Sequence, residues 1–189
     1  DLIGRQDDKL DLHNESQKFI NVENGLETEE EVIQGASDII AENVSDDAEL
    51  RKSIRKLYEK AAKIESRASD ENAETVYQNY YEFCEPVSKI ADHRILALDR
   101  GEKEGALKVS VSIDEEFCFS IAERKYVINN TDSGNIVKAA VQDSCKRLIM
   151  PSVEREIRAE LTARAAEGAI KVFSSVSYTH LTLPTNREV

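Results

Sequence analysis

The 189-residue sequence contains few cysteines, prolines and glycines, with three, three and seven of them. Its cysteines, Cys84, Cys118 and Cys145, are odd in number, far apart and form no CxxC pair. This spacing argues against a disulfide framework and against a cysteine-based zinc site. We therefore expect reduced thiols and a cytoplasmic protein, with Cys145 in the core because it occupies an apolar helical position.

Long hydrophobic runs and an excess of positive charge are also missing. No stretch of eighteen apolar residues is present, so the sequence predicts no membrane-spanning helix and no membrane partner. The 37 acidic and 25 basic residues give a net charge of −12, which argues against a strong, free-standing nucleic-acid binder. With 33% charged and 40% hydrophobic residues, the composition is that of a globular protein.

Catalytic signatures are absent from the sequence. It has no phosphate-binding loop, no GxSxG, no HExxH and no Cys/His arrangement. Among 37 carboxylates, no single pair is specific. His13 and His93 are remote from each other and lack convergent partners, so we expect His93 to make only local hydrogen bonds. The expectation is a non-enzymatic protein without cofactor, metal or small-molecule substrate.

What is present is a helical pattern over most of the chain. Apolar residues recur at intervals of three and four, with capping residues in front of several runs. A Thr28–Glu31 pair forms a capping box, and Pro151 is expected to break one helix before the next. The predicted helices are Asp8 to Ile20, Thr28 onwards, one capped by Ser45, one stopped by Gly101 or Gly105, Glu115 to Ile128, Gly134 to Ile149, and one capped by Ser152 that reaches Phe173.

Several of these helices have an apolar stripe that predicts burial along one face, among them the second and the last. The second helix presents Val32, Ile33, Ala36, Ile39, Ile40 and Val44. The last helix presents Val153, Ile157, Leu161, Ala165, Ala169 and Val172.

Strand patterns are confined to two short segments, Lys63–Arg67 and Leu107–Ile113. We expect them to pair as a two-stranded element that packs against helices. Between them lies an aromatic cluster in which Pro86 should end a preceding helix. Since no basic residues interleave with these rings, core packing is favoured over base stacking; the cluster consists of Tyr77, Tyr80, Tyr81 and Phe83. The predicted fold class is mainly α, a multi-helix bundle with a small β element.

Two groups of basic residues are candidates for nucleic-acid contact. Lys146, Arg147, Arg155 and Arg158 flank a predicted helix junction, where the helix beginning at Ser152 would offer free N–H groups to phosphate. The second group lies on the helix that follows Ser45, and acidic residues nearby favour a solvated face over a binding surface. It consists of Arg51, Lys52, Arg55, Lys56 and Lys60.

The two ends of the sequence differ from its body. The first residue is Asp1 rather than methionine, so we expect the chain to be internal to a longer protein. The final stretch, VSYTHLTLPTNREV, leaves the helical period and is similar to the translation of a transposase adapter used in sequencing libraries. The sequence therefore predicts a helical region over residues 1–175 and a non-native tail over 176–189. The alternative is an ordinary β-prone tail from Tyr178 to Leu183.

Three stretches resemble the bacterial Tex family of RNA-binding transcription accessory proteins. They are GASDIIAENVSDDAELR, YYEFCEPVSKIADHRILALDRGEKEGALKV and DSCKRLIMPSVEREIRAELTARAAEGAIKVF. Within them, the pairs and triplets Glu85-Pro86, His93-Arg94, Arg100-Gly101-Glu102, Lys146-Arg147-Leu148 and Pro151-Ser152 have the family's spacing. The resemblance runs from about Lys18 to Phe173.

The resemblance implies a helical region that precedes an RNase H-like (YqgF-type) domain, helix-hairpin-helix elements and an OB-fold RNA-binding domain. It further implies nucleic acid, RNA or DNA, as a partner through those other domains, and contact with the transcription machinery. This chain would then be a scaffold that positions them. The alternative is a weak nucleic-acid-binding or RNA-polymerase-contacting module in its own right.

Overall fold

The computed structural model describes residues 2–7, 11–21, 27–70 and 75–181. Over these residues the structure is mainly helical with a small antiparallel sheet, which confirms the predicted fold class. The chain divides into two compact units. Unit 1 comprises Asp1–Tyr58 and Asp114–Val153, and unit 2 comprises Glu59–Ile113 and Glu154–Val189. None of the described helices is long and apolar enough to cross a membrane.

The regular elements follow the chain in one order with short connections. The helices are α1 (Leu12–Gln17), α2 (Glu29–Ser45), α3 (Ala48–Ala61), α4 (Asp92–Lys103), α5 (Glu115–Tyr126), α6 (Asp132–Asp143) and α7 (Met150–Leu181). The strands are β1 (Lys63–Ala68), β2 (Glu82–Pro86) and β3 (Leu107–Ser112). Short 3₁₀ turns lie at Ile3–Arg5 and Gln78–Tyr80, and a π-helical segment lies at Ser144–Ile149.

The capping box predicted at the start of α2 is confirmed. The Glu31 N–H donates to Thr28 Oγ1 at 3.3 Å, and the Thr28 N–H donates to Glu31 Oε2 at 3.1 Å. Two helix N–H groups are thereby satisfied by local side chains. The helix predicted from Asp8 to Ile20 is shorter, since α1 spans Leu12–Gln17; Asp8 to Leu10 lie outside the described residues.

The prediction that Ser45 caps α3 is wrong. Ser45 is the last residue of α2, where its Oγ donates to the Glu42 carbonyl at 2.8 Å. The cap is supplied by Asp47, whose Oδ1 accepts from the N–H groups of Glu49 and Leu50 at 3.0 and 3.2 Å. A carboxylate at this position also interacts favourably with the positive end of the helix dipole.

The helix α5 ends at Tyr126 instead of Ile128 because a distant side chain replaces its helical hydrogen bonds. Gln6, only 1% exposed, donates from Nε2 to the Tyr126 carbonyl at 2.6 Å and accepts from the Ile128 N–H at 2.8 Å. The next helix begins at Asp132, two residues before the predicted Gly134, because Thr131 Oγ1 accepts from the Gly134 N–H at 3.1 Å.

Pro151 does not break the helical path, contrary to the prediction. The π-helical segment lies directly before α7, and the Met150 N–H donates to the Cys145 carbonyl, five residues back. Wide π turns are accommodated as single interruptions within α-helices. Pro151 then lies in the first turn of α7, where a missing N–H is tolerated.

The core of unit 1 contains buried side chains from α2, α3, α5, α6 and the π-helical segment. Leu50, Ile54 and Tyr58 on α3 are at most 2% exposed, and Cys145 is fully buried as predicted. The predicted stripe on α2 is only partly buried. Val44 is 1% exposed, whereas Ile39 is 62% exposed, so the prediction of one continuous buried stripe is wrong there.

Unit 2 contains a three-stranded antiparallel sheet in the order β2-β1-β3. The predicted pairing of the two strand segments is confirmed, with Ile64 opposite Val111. The expectation of only two strands is wrong, because Glu82–Pro86 pairs with the other edge of β1. Pro86 ends this edge strand instead of a helix, a place where a proline costs no ladder hydrogen bond.

Core packing, predicted for the whole aromatic cluster, is confirmed only for Tyr77, since Tyr80, Tyr81 and Phe83 are half-buried. Tyr77 is 7% exposed. The rings of Tyr80 and Phe83 lie 5.4 Å apart at 59°, a tilted geometry that aromatic pairs prefer. The Arg94 guanidinium lies 5.9 Å from the centre of the Phe83 ring and donates to Glu85 at 2.8 Å.

Of the two glycines proposed to stop α4, Gly105 does so, with a φ of +76° that favours glycine. Gly101 lies inside the helix and is buried. A Cβ built on it would lie 2.6 Å from Leu107 Cδ1 of β3. Gly101 therefore allows close packing between α4 and the sheet.

Helix α7 buries its predicted stripe only in its first half. Ile157, Leu161 and Ala165 are at most 5% exposed, whereas Val172 is 62% exposed. The Glu154 carboxylate accepts from the Val111 N–H at 2.8 Å, which satisfies a donor on the open edge of β3. The backbone is helical through Leu181, unlike the β-prone alternative. Residues 182–189 lie outside the described residues, and the non-native origin of the tail stays a prediction.

Candidate nucleic-acid interface

Two of the predicted contact residues lie in unit 1, and both are paired with carboxylates. Lys146 Nζ lies 3.2 Å from Glu115 Oε2. Arg147 donates through Nε and Nη2 to Asp143 at 3.0 and 2.9 Å. The Asp143 carboxylate raises the pKa of the Arg147 guanidinium. Because the pairs are exposed, each is worth little to stability, but each cation already has a counter-charge.

The other two predicted contact residues, Arg155 and Arg158, lie in unit 2. Arg158 Nη2 donates to Glu102 at 2.5 Å and to Asp99 at 3.3 Å, and its side chain is only 18% exposed. Asp99 also accepts from Thr162 Oγ1 at 2.7 Å. Arg158 thus ties α7 to α4. The four candidates are divided between the units and form no common cluster within either unit.

The helix junction predicted to hold phosphate is not present. The helical path is continuous through Ser152, so this residue does not begin a helix. Its Oγ instead accepts from Arg51 Nη1 at 3.3 Å. Arg51 Nε also donates to the Ser45 carbonyl at 2.6 Å. Arg51 therefore connects the end of α2 with the first turn of α7 within unit 1.

The remaining basic face of α3 includes lysines that the fold does not use. Lys52, Lys56 and Lys60 are exposed and make no ion pair with any described residue. Spaced four apart, they share one face and rise by about 6 Å per step. The helix carries five basic and two acidic residues, whereas α2 carries five acidic and no basic ones. Helix α3 is therefore much more basic than α2.

A half-buried charge cluster in unit 1 was not foreseen from the sequence. Asp47 accepts hydrogen bonds from Lys125 Nζ and from the Tyr126 hydroxyl. These bonds lower the pKa of Asp47 to about 2, and burial together with the Asp47 carboxylate raises the pKa of Tyr126. The only local signal is an acidic residue at a helix start, since its partners lie 78 and 79 residues away.

Nucleophilic and metal-binding chemistry has little support among the described residues. Burial raises the pKa of Cys118 to about 11 and that of Cys145 to about 12, which keeps both thiols protonated and inert. His13 pairs with Glu29 at 2.6 Å, and His93 is exposed. No group of three or more His, Cys, Asp or Glu residues suited to a metal occurs in the part of the chain that the structure describes.

Comparison with known proteins gives a family match over most of the chain. The family model described as Tex central region-like matches residues 7–173. The protein YdcI of Bacillus subtilis (strain 168) is 41% identical over 173 residues, covering 89% of this chain and 24% of YdcI.

More distant relatives come from eukaryotes. The human S1 RNA-binding domain-containing protein 1 is 29% identical over 164 residues, which cover 79% of this chain and 16% of that protein. The transcription elongation factor SPT6 homolog of Arabidopsis thaliana is 26% identical over 153 residues, which cover 71% of this chain and 9% of that protein. The chain spans a quarter or less of the length of these three relatives. By the family match and the identity to YdcI, the chain belongs to the Tex family, whose central region it contains.

Proposed function

We propose that this chain is a non-catalytic helical support within a nucleic-acid-binding transcription accessory protein. Its relatives include a protein named for S1 RNA binding and one named as a transcription elongation factor. In this proposal other domains make the main contacts with RNA or DNA and with the transcription machinery, and the helices hold those domains in position.

The second half of α7 is the observation that carries the proposal. Ile157, Leu161 and Ala165 anchor its first half in unit 2, whereas Ile170 and Phe173 are 68% and 76% exposed. Arg164 strengthens the anchor by donating to Asp92 at 2.9 Å and to the Ile90 carbonyl at 2.8 Å. A fixed helix that presents apolar side chains at its far end suits packing against another domain.

We expect the purified chain to self-associate through this end of α7. Replacing both Ile170 and Phe173 by lysine should raise the concentration at which association begins by about a hundredfold or more, since burying each such side chain is worth roughly 1.5–3 kcal/mol. Sedimentation velocity across a concentration series measures this. The control is Phe117→Lys, a 54% exposed position on α5. A wild-type chain that stays monomeric throughout, or an effect of equal size in the control, contradicts the expectation.

A second candidate function, a nucleic-acid-binding module in its own right, is favoured by the free lysines of α3. The two functions differ in their salt dependence. A support should show no saturable binding to a labelled 20-nucleotide RNA at 150 mM salt. A module that engages three phosphates should bind, with log Kd rising with log salt at a slope of about 2.

Substitution identifies the residues responsible for any binding. In the module, changing Lys52, Lys56 and Lys60 to glutamine should remove most of that slope, while Lys146→Gln with Arg147→Gln should change it little because both are already paired. Fluorescence anisotropy from 25 to 200 mM salt measures both. Saturable binding at 150 mM that the α3 triple variant abolishes would replace the support proposal with the module.

A further inference from the structure

Unit 1 has an open apolar groove between its N-terminal 3₁₀ turn, α1 and one face of α2. Its volume is about 770 Å³, and apolar side chains from all three segments form its floor. Several of them remain accessible. Leu2 is 38% exposed, Phe19 58% and Ile39 62%.

The groove follows from the lengths of the two helices. At 1.5 Å per residue, the six residues of α1 extend about 9 Å, whereas the 17 residues of α2 extend about 26 Å. α1 is too short to cover the apolar face of α2. This is why the stripe containing Val32, Ile39 and Ile40 is only partly buried although its period is that of a core-facing helix.

Acidic side chains border this apolar floor. Glu31, Asp38 and Glu42 follow one another along α2 at intervals of seven and four residues, beside Ile39, and Glu15 of α1 lines the groove. Residues 2–7, 11–21 and 27–45 contain nine acidic residues against Arg5 and Lys18. Arg147, whose Nη2 lies 4.0 Å from Asp38 Oδ1, is a further cation at this border. Lys18 is itself paired with Glu15 at 2.5 Å.

We propose that this groove binds a lysine- and arginine-rich amphipathic helix of a partner protein. An apolar floor with an acidic border is complementary to a helix that has one apolar face and basic flanks. From Val32 to Asn43 the floor is about 16 Å long, which matches three turns, or about 11 residues, of a bound helix. The same carboxylates repel nucleic acid. A second copy of this chain has a net charge of −12, and its basic helix α3 already buries its apolar face, since Leu50, Ile54 and Tyr58 are at most 2% exposed.

The test uses the full chain and a synthetic 14-residue helix of leucine and lysine in an amphipathic pattern. We expect saturable binding by fluorescence anisotropy that weakens between 25 and 150 mM salt. A peptide of the same pattern with glutamate in place of lysine should bind at least tenfold more weakly. If the two peptides bind equally, the acidic border plays no part and the proposal is wrong.

Variants locate the binding surface. Ile39→Glu should weaken binding of the lysine peptide at least tenfold, and Asp38→Lys with Glu42→Lys should reduce both affinity and salt dependence. Ile128→Glu, at a 71% exposed position of unit 1 outside the groove, is the matched control. Thermal melting by circular dichroism verifies that each variant is folded.

Three further results would overturn the proposal. One is unchanged binding by a folded Ile39→Glu variant. Another is no binding by the wild-type chain, as expected if its own residues fill the groove. The third is a wild-type dimer that Ile39→Glu dissociates in sedimentation equilibrium, which would make a second copy the occupant. None of them bears on the support proposal, which is tested at Ile170 and Phe173 of unit 2.

Discussion

Replacing Gly134 by alanine is expected to lower the free energy of unfolding by about 3 kcal/mol. Gly134 is buried in the first turn of α6, and a Cβ built there would overlap the carbonyl oxygen of Asn129. That carbonyl belongs to the backbone, and the Asn129 and Ile128 N–H groups both donate to Gln6 Oε1. The loop therefore cannot move aside without breaking the hydrogen bonds of Gln6.

The measurement is thermal or urea unfolding, in which the variant should melt about 10 °C below the wild type for a chain of this size. Gly35→Ala is the matched control. Gly35 lies in the middle of α2, and a Cβ there meets nothing within 4 Å. Alanine should stabilise that helix by up to about 1 kcal/mol. Equal melting temperatures for the two variants would show that the Asn129 loop adjusts freely.

The second large effect is expected at Asp47. Asp47→Asn keeps a good helix cap for α3, since asparagine caps about as well as aspartate, but it removes the charge that holds Lys125 and Tyr126. We expect a loss of about 1–2 kcal/mol at pH 6, because the Asp47 side chain is only 15% exposed while Lys125 is 45% exposed and partly screened by water. Urea denaturation of the two proteins measures the difference.

The effect of Asp47→Asn should depend on pH in a defined direction. The hydrogen bonds from Lys125 and Tyr126 lower the pKa of Asp47 in the folded state to about 2 from an ordinary value near 3.8. A group whose pKa is lowered by folding contributes its full stabilisation at pH values above its unfolded-state pKa. This stabilisation is lost as the pH falls toward the folded-state pKa. The difference between wild type and variant should therefore be constant from pH 7 to 5 and about half as large at pH 3.

The control for this pH dependence is Asp38→Asn, whose carboxylate is 53% exposed on α2. It should change stability little at any of these pH values. The stability difference between Asp47→Asn and wild type could instead stay the same from pH 6 to pH 3. That result would mean that folding does not lower the pKa of Asp47, and it would contradict the hydrogen-bonded cluster.

The use of charge in this chain bears on its role in the family. Arg158 and Arg164 connect α7 to α4 through Asp99, Glu102 and Asp92. Lys125 anchors α5 to the start of α3 through Asp47. Arg158, which the sequence offers as a phosphate ligand, is thus paired with carboxylates of the fold, and a strong nucleic-acid interface would need other cations. This distribution supports the proposal of a helical support.

Much of the fold could be predicted because its signals are local. The capping box of α2 joins residues three apart, and the strand β3 shows its alternation within six residues. The interval of three and four residues in the first half of α7 identified Ile157, Leu161 and Ala165 as buried. These features depend on neighbours in the sequence, so the sequence itself contains both partners of each interaction.

The candidate site was harder to predict because its partners are remote. Arg158 has the positive charge and the hydrogen-bond donors of a phosphate ligand. Nothing near it in the sequence indicates that it pairs with Glu102, 56 residues away. The cluster at Asp47 and the hydrogen bonds of Gln6 join residues 78 to 123 positions apart. Single-sequence patterns do not report such pairs.

The amino-acid sequence alone determined the helical class, the capping box of α2 and the strand character of β1 and β3, since capping contacts and apolar periodicity act over a few residues. Tertiary structure alone decided that Glu82–Pro86 becomes a third strand, that a π-helical segment carries the chain through Pro151, and that Ile39 stays exposed. Each of these depends on what packs alongside: a free edge of β1, the fit of the segment around Cys145 in the core, and an α1 too short to cover α2.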